Sequence, residues 1–120
     1  MKAAQANSLI DAIVAQVEKE GINAETLIPQ LQKLREFALA EADPLVTKVL
    51  RLTYEYLEKN DGAFDIQVRY EEDEDGNEYP LEIDDTENFC YFLNLLKKSD
   101  NKINREEIKE YRTALKDELY

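Results

Sequence analysis

The sequence contains no histidine. That absence removes imidazole acid and base catalysis, the Ser-His and Cys-His nucleophile pairs, and imidazole metal ligands, so zinc and copper sites are not expected. Only three glycines are present, Gly21, Gly62 and Gly76, each far from the others. Neither a dinucleotide fingerprint nor a phosphate loop can be assembled from them. Tryptophan is missing, and the 15 Lys and Arg are interleaved with acids without forming a basic stripe. Direct nucleic-acid binding is therefore not expected. Cys90 is the only cysteine, which excludes an internal disulfide. Its setting, Asn88-Phe89-Cys90-Tyr91-Phe92-Leu93, suits a small buried apolar group better than a nucleophile. No run approaches the roughly 20 apolar residues that cross a bilayer, and Met1 to Asn7 lacks the apolar core of a signal peptide. A cytoplasmic location with no membrane partner is the expectation.

What the chain does have is unevenly placed charge. Residues 61 to 88 hold twelve Asp and Glu against one base, Arg69, while the 60 residues before them sum to −2 and the 32 after them to +1. Nearly all of the net charge of −12 thus sits in the middle, densest from Glu71 to Glu78. A field of one sign on an otherwise balanced chain bears on location and partner choice, not on average composition. With 120 residues, 43% hydrophobic and 35% charged, the chain fits a single globular domain over 1–120 and is too apolar for general disorder.

Apolar spacing predicts five helices. Leu9, Ile10, Ile13, Val14 and Val17 recur on one face of a helix over about 8–20, with Asn7 or Ser8 as its cap and Gly21 as its stop. A second helix over about 24–41 takes Asn23 as cap and carries Leu27, Leu31, Leu34 and Ala38 inward. Pro29 argues for a kink there or a later start near Ile28. Asp43-Pro44 is a capping carboxylate followed by proline at the first helical position, so a third helix runs over about 44–59 and ends at Asn60-Asp61-Gly62. Asp84, Asp85 and Thr86 offer caps for a helix over about 86–98, whose broad apolar face suggests a central place in the core. A last helix over about 104–119 has Asn104 and Glu107 at capping-box spacing.

Between the third and fourth helices the period changes from 3.6 to 2. Phe64, Ile66, Val68 and Tyr70 alternate with polar residues, as do Tyr79, Leu81 and Ile83, and Asp75-Gly76 is a favoured two-residue hairpin turn. That turn sets Tyr70 opposite Leu81, Val68 opposite Ile83, and Pro80 on the face of Glu71. The fold class expected is therefore α+β, predominantly helical: about five helices packed with one antiparallel β-hairpin over about 63–83, its apolar face laid on the helices.

Three chemistries compete for the acidic stretch. Calcium favours clustered carboxylates on a tight, glycine-containing loop, and Glu71, Asp73, Asp75, Gly76 and Glu82 occupy positions 1, 3, 5, 6 and 12 of a loop that resembles an EF-hand. Position 8 is Glu78 where an apolar residue belongs, and the flanks alternate as strands. A second window resembles an EF-hand in its flanks instead, with Ile103 at position 8 and Glu107 at position 12. There Leu96 and Lys98 stand where ligands belong. Paired carboxylates also serve glycoside hydrolases at separations of about 5 to 9.5 Å, but a hairpin tip in water supplies neither a cleft nor an acid raised by burial. The third option is recognition. Tyr70, Glu72, Glu74, Glu78 and Tyr79 combine acids with aromatic groups as protein interfaces do, with Tyr91 a further candidate for the rim. Tyr54, Tyr56 and Tyr111 sit at helical spacing and suit the core or its rim better than catalytic acids. The preferred expectation is a non-enzymatic interaction module of an adaptor, inhibitor or immunity-like kind, without a cofactor, whose acidic hairpin meets a basic surface of another protein. A divalent-cation protein using Glu71, Asp73, Asp75 and Glu82, and a carboxylate hydrolase, are the alternatives.

Overall fold

The computed structural model describes residues 1–120. Five helices, α1 (Ala4–Glu20), α2 (Ala24–Ala40), α3 (Pro44–Lys59), α4 (Asp85–Lys97) and α5 (Lys102–Leu119), surround one core, and a two-stranded antiparallel ribbon, β1 (Tyr70–Glu72) and β2 (Glu78–Pro80), is inserted between α3 and α4. This is the predominantly helical α+β class that the periodicities imply. α2 and α5 pack on α3, while α1 packs on α4 and α2, and α4 also meets α5. α3 buries nine residues and α4 seven, so the central place expected of α4 is shared with α3. No helix is long and apolar enough to cross a membrane.

Most helix ends follow local chemistry. Asp43 accepts from Val46 N at 3.2 Å with Pro44 in the first turn, and Asp84 accepts from Glu87 N at 2.7 Å. Asn23 caps α2 through Thr26 N. The helix then continues through Pro29 without a later start, giving up the bond that a residue-29 amide would donate to the Glu25 carbonyl. Ala24 N donates to Asp61 at 2.8 Å, a second cap supplied from the end of α3.

Two helices begin earlier than their sequence signals indicate. α1 starts at Ala4, ahead of Asn7 and Ser8, because the Glu41 carboxylate accepts from the backbone of Lys2 and Ala3 at 2.8 and 3.3 Å. Asn7 instead donates to the Met1 carbonyl. α5 starts at Lys102 because Asn101 accepts from Ile103 N and Asn104 N. Asn104 and Glu107 therefore make no capping box. Asn104 donates to the Lys98 carbonyl, and Glu107 accepts from the Tyr91 hydroxyl. The link from α4 to α5 is a short turn, and the second half of the second EF-hand-like window lies within α5.

The ends of four helices meet around Asp43. While capping α3, its carboxylate receives Arg105 Nη1 and Nη2 at 3.0 and 3.2 Å, and Arg105 also donates to the Ser99 carbonyl. Burial works to raise the Asp43 carboxyl, but the Arg105 and backbone hydrogen bonds outweigh it and leave the group below the usual aspartate range. The Met1 ammonium donates to Leu96 O, Lys97 O and Ser99 Oγ at the C-terminus of α4, where a positive group complements the helix dipole.

The hairpin register differs from expectation by one residue. The observed pairs are Tyr70 with Pro80, Glu71 with Tyr79 and Glu72 with Glu78, so Tyr70 does not face Leu81 and Pro80 does not share a face with Glu71. A two-residue type I′ turn at Asp75-Gly76 would need positive φ at both residues, and only Gly76 has it, at 82°. The loop has three residues, Glu74 to Gly76. Gly76 N donates to Asp73 O at 3.1 Å, and Asp73 N donates to Asn77 O at 3.0 Å, the geometry of a type I turn closed by a left-handed glycine. The Asp73 carboxylate completes the turn by accepting from Asp75 N and Asn77 N at 3.0 and 2.8 Å.

The ladder is also shorter than 63–83. Residues 63–69 and 81–83 lie outside the strands; Leu81 N to Arg69 O, at 2.9 Å, is the one backbone bond between these flanks. Phe64 and Ile66 are buried and Val68 partly so, but every residue from Tyr70 to Pro80 is exposed. The apolar face thus lies on the helices only at the root of the hairpin.

Candidate interaction surface

The root is fixed by aromatic packing and by one polar side chain. Phe64 is fully buried and meets Phe89, Phe92, Tyr56 and Tyr111 at centroid distances of 5.1, 5.8, 6.1 and 6.2 Å. Asn88, on α4, donates to the carbonyls of Phe64 and Ile66 at 3.1 and 2.8 Å and accepts from the Tyr111 hydroxyl at 2.6 Å. An extended segment that lacks a neighbouring strand would otherwise bury those carbonyls unpaired, at about 1–3 kcal/mol each. Phe64 N donates to Asp85, and Tyr56 donates to Asp65. The sequence places Asn88 on the buried face, in line with Phe92 and Leu95, but not its partners.

Arg69 ends the root. Its guanidinium lies 3.9 Å from the centroid of the Tyr91 ring, a cation–π contact, and the Tyr91 hydroxyl donates to Glu107. Burial first, then that hydrogen bond, pushes the Tyr91 phenol up to about 12. Arg69 therefore forms no ion pair with the acids around it, and Tyr91 serves as its platform, apart from any rim formed with Tyr70 and Tyr79. Tyr56 and Tyr111 are buried, as their spacing implies, and burial is also the main reason that their phenols stand above the ordinary range. Cys90 is buried as well, its sulfur 4.0 Å from the Val14 carbonyl, and burial raises its thiol.

Beyond Arg69 the ribbon stands in solvent. Tyr70 and Tyr79 are 55% and 45% exposed. Directly paired residues share a face, so Tyr70, Glu72, Glu78 and Pro80 lie on one side of the ribbon and Glu71 and Tyr79 on the other. The candidate recognition residues are thus all exposed but divided between two faces, with Glu74 in the loop between them. Of the candidate metal ligands, Asp73 is occupied in closing the turn, Glu71 sits mid-strand, Asp75 is in the loop and Glu82 lies beyond β2. No three acidic or thiol groups gather in an arrangement suited to a metal ion. The molecule has five ion pairs, and none includes a residue between 61 and 88.

A groove of about 600 Å³ runs between the ribbon and α5, bounded by Gln67, Val68, Tyr70 and Glu78 on one wall and by Glu106, Glu110 and Asp117 among others on the second. Its one base, Lys109, is paired with Glu106 at 3.2 Å. Sequence reasoning missed this wall because the α5 acids are spread among bases along the chain and outnumber them only on the side opposite the hairpin. No family model matches the chain, and comparison with curated proteins and with solved structures finds no match.

Proposed function

We propose that the chain is a non-catalytic interaction module, an adaptor or inhibitor in kind, whose acidic hairpin is read by a basic surface on another protein. The observation that carries this reading is the complete absence of ion pairs between residues 61 and 88, where twelve acids meet one base that is stacked on a tyrosine. Acids left without an intramolecular counter-ion on an exposed ribbon keep their field for an external one, over a reach of about 8 Å at physiological salt. The exposed tyrosines add contact area with a polar tip, which suits them to an interface.

The test starts from a photo-crosslinker placed at Asp75, to trap the partner. Association rates are then compared for the native chain and a variant with Glu71, Glu72, Glu74 and Glu78 changed to Gln. The variant should associate about tenfold more slowly at low salt and lose most of its salt dependence. Equal rates would remove electrostatic steering. A calcium titration followed by melting separates the ionic alternative: a site held at about 100 times its dissociation constant adds about 2.7 kcal/mol of stability. A rise of that order would assign the acids to a cation.

A further inference from the structure

β1 has one paired edge and one open edge. Arg69 O accepts from Leu81 N and Asp73 N donates to Asn77 O, so the backbone groups of residues 69, 71 and 73 turn toward β2. Alternation along β1 then directs the N–H and C=O groups of Tyr70 and Glu72 the opposite way. The sheet has only two strands, and no strand of this chain pairs with that edge. Behind it, the amides of Ile66 and Val68 also make no hydrogen bond. Tyr70 of β1 and Val68 just before it help to form the groove facing α5. Glu78, Glu106, Glu110 and Asp117 make that groove acidic.

We infer that the open edge of β1 accepts an extended, Lys- or Arg-bearing segment of a partner protein as a third strand, whose side chains on the Tyr70 and Glu78 face project over the groove toward α5. The inference rests on the acidic-hairpin reading and says how the partner is held. Backbone hydrogen bonds supply the attachment, and alternate side chains of the added strand reach the acidic wall. A second copy of this chain is a poor occupant, because its own edge is flanked by Glu71, Glu72 and Glu74 and like charges would face each other.

The probe is a short synthetic peptide alternating Lys and Val, titrated against the whole chain by fluorescence anisotropy. Strand addition requires that N-methylation of one alternate set of peptide amides weaken binding about tenfold or more, while methylation of the other set has little effect. Glu72→Pro removes an outward amide without touching a bond to β2, and it should reproduce the loss; Glu72→Gln should retain binding apart from a small charge effect. Thermal melting establishes that both variants are folded. If Glu72→Pro and both methylated peptides bind like their parents, strand addition is wrong. The acidic-surface reading still stands in that case, provided the four-Gln variant releases the peptide. A peptide that binds none of these proteins at low salt, or sedimentation showing the chain dimerised through this edge, overturns the inference outright.

Discussion

Phe64 and Tyr70 belong to one run of alternating residues, yet Phe64 is fully enclosed by four aromatic rings while Tyr70 is 55% exposed. The pattern is the same at both ends, but the surroundings differ. Alternation specifies which way a side chain points from a strand. Whether anything waits there depends on α4 and α5, and their cover ends near Arg69. The hairpin is thus two structures in series: a root that belongs to the core and a tip that stands in solvent.

The largest test of that division is Phe64→Ala, which should cost about 3–5 kcal/mol in urea unfolding. Tyr70→Ala, at the same phase of the same run, should cost no more than about 0.5 kcal/mol. Comparable losses at the two sites would erase the distinction between root and tip. Next is Asn88→Ala, which leaves two buried carbonyls and the Tyr111 hydroxyl without their partner. A loss of about 2–4 kcal/mol is expected, with the Phe64 amide, which donates to Asp85, exchanging faster. An unchanged melting temperature would mean that packing alone fixes the root.

No histidine is present to titrate near neutrality. The buried Met1 ammonium titrates there instead, and because burial lowers its folded value, stability should rise slightly as pH climbs through that value toward the unfolded one near about 8. On the acid side, Asp43 has its folded value lowered, so its contribution is present above the unfolded value near about 4 and is lost as pH falls through the folded one. On the alkaline side, Tyr56, Tyr91 and Tyr111 have raised folded values. Their contribution is present below the unfolded value near about 10 and lost as pH rises through the folded values. Melting temperatures measured across pH should show both limbs, with Asp43→Asn flattening the acid one. Tyr111→Phe should soften the alkaline limb and lower stability throughout, since Asn88 loses its donor.

How much of this was legible varies with the range of the interaction. Asp43-Pro44 and Asn60-Asp61-Gly62 bracket α3 correctly because each signal acts on its own neighbours. The start of α1 was not legible: its cap is Glu41, distant in sequence and brought near by folding. The hairpin register slipped because Asp75-Gly76 suits two turns, and the choice fell to the Asp73 carboxylate gathering two amides. Acid content alone was visible in the sequence; the missing counter-ions, and the α5 wall opposite, required the fold.

The smallest expected effect is also the most informative about function. Changing Glu71, Glu72, Glu74 and Glu78 to Gln removes four charges from an exposed ribbon that contributes no ion pair. The change in stability should stay within about 0.5 kcal/mol, and relief of like-charge repulsion favours a slight gain at low salt. Asp73 is left in place because its carboxylate closes the turn, so Asp73→Ala, unlike the four Gln changes, should disorder the tip. If the four changes instead cost several kcal/mol, those acids support the fold and the case for an external basic partner weakens. If stability holds while association slows, the charge is held for recognition.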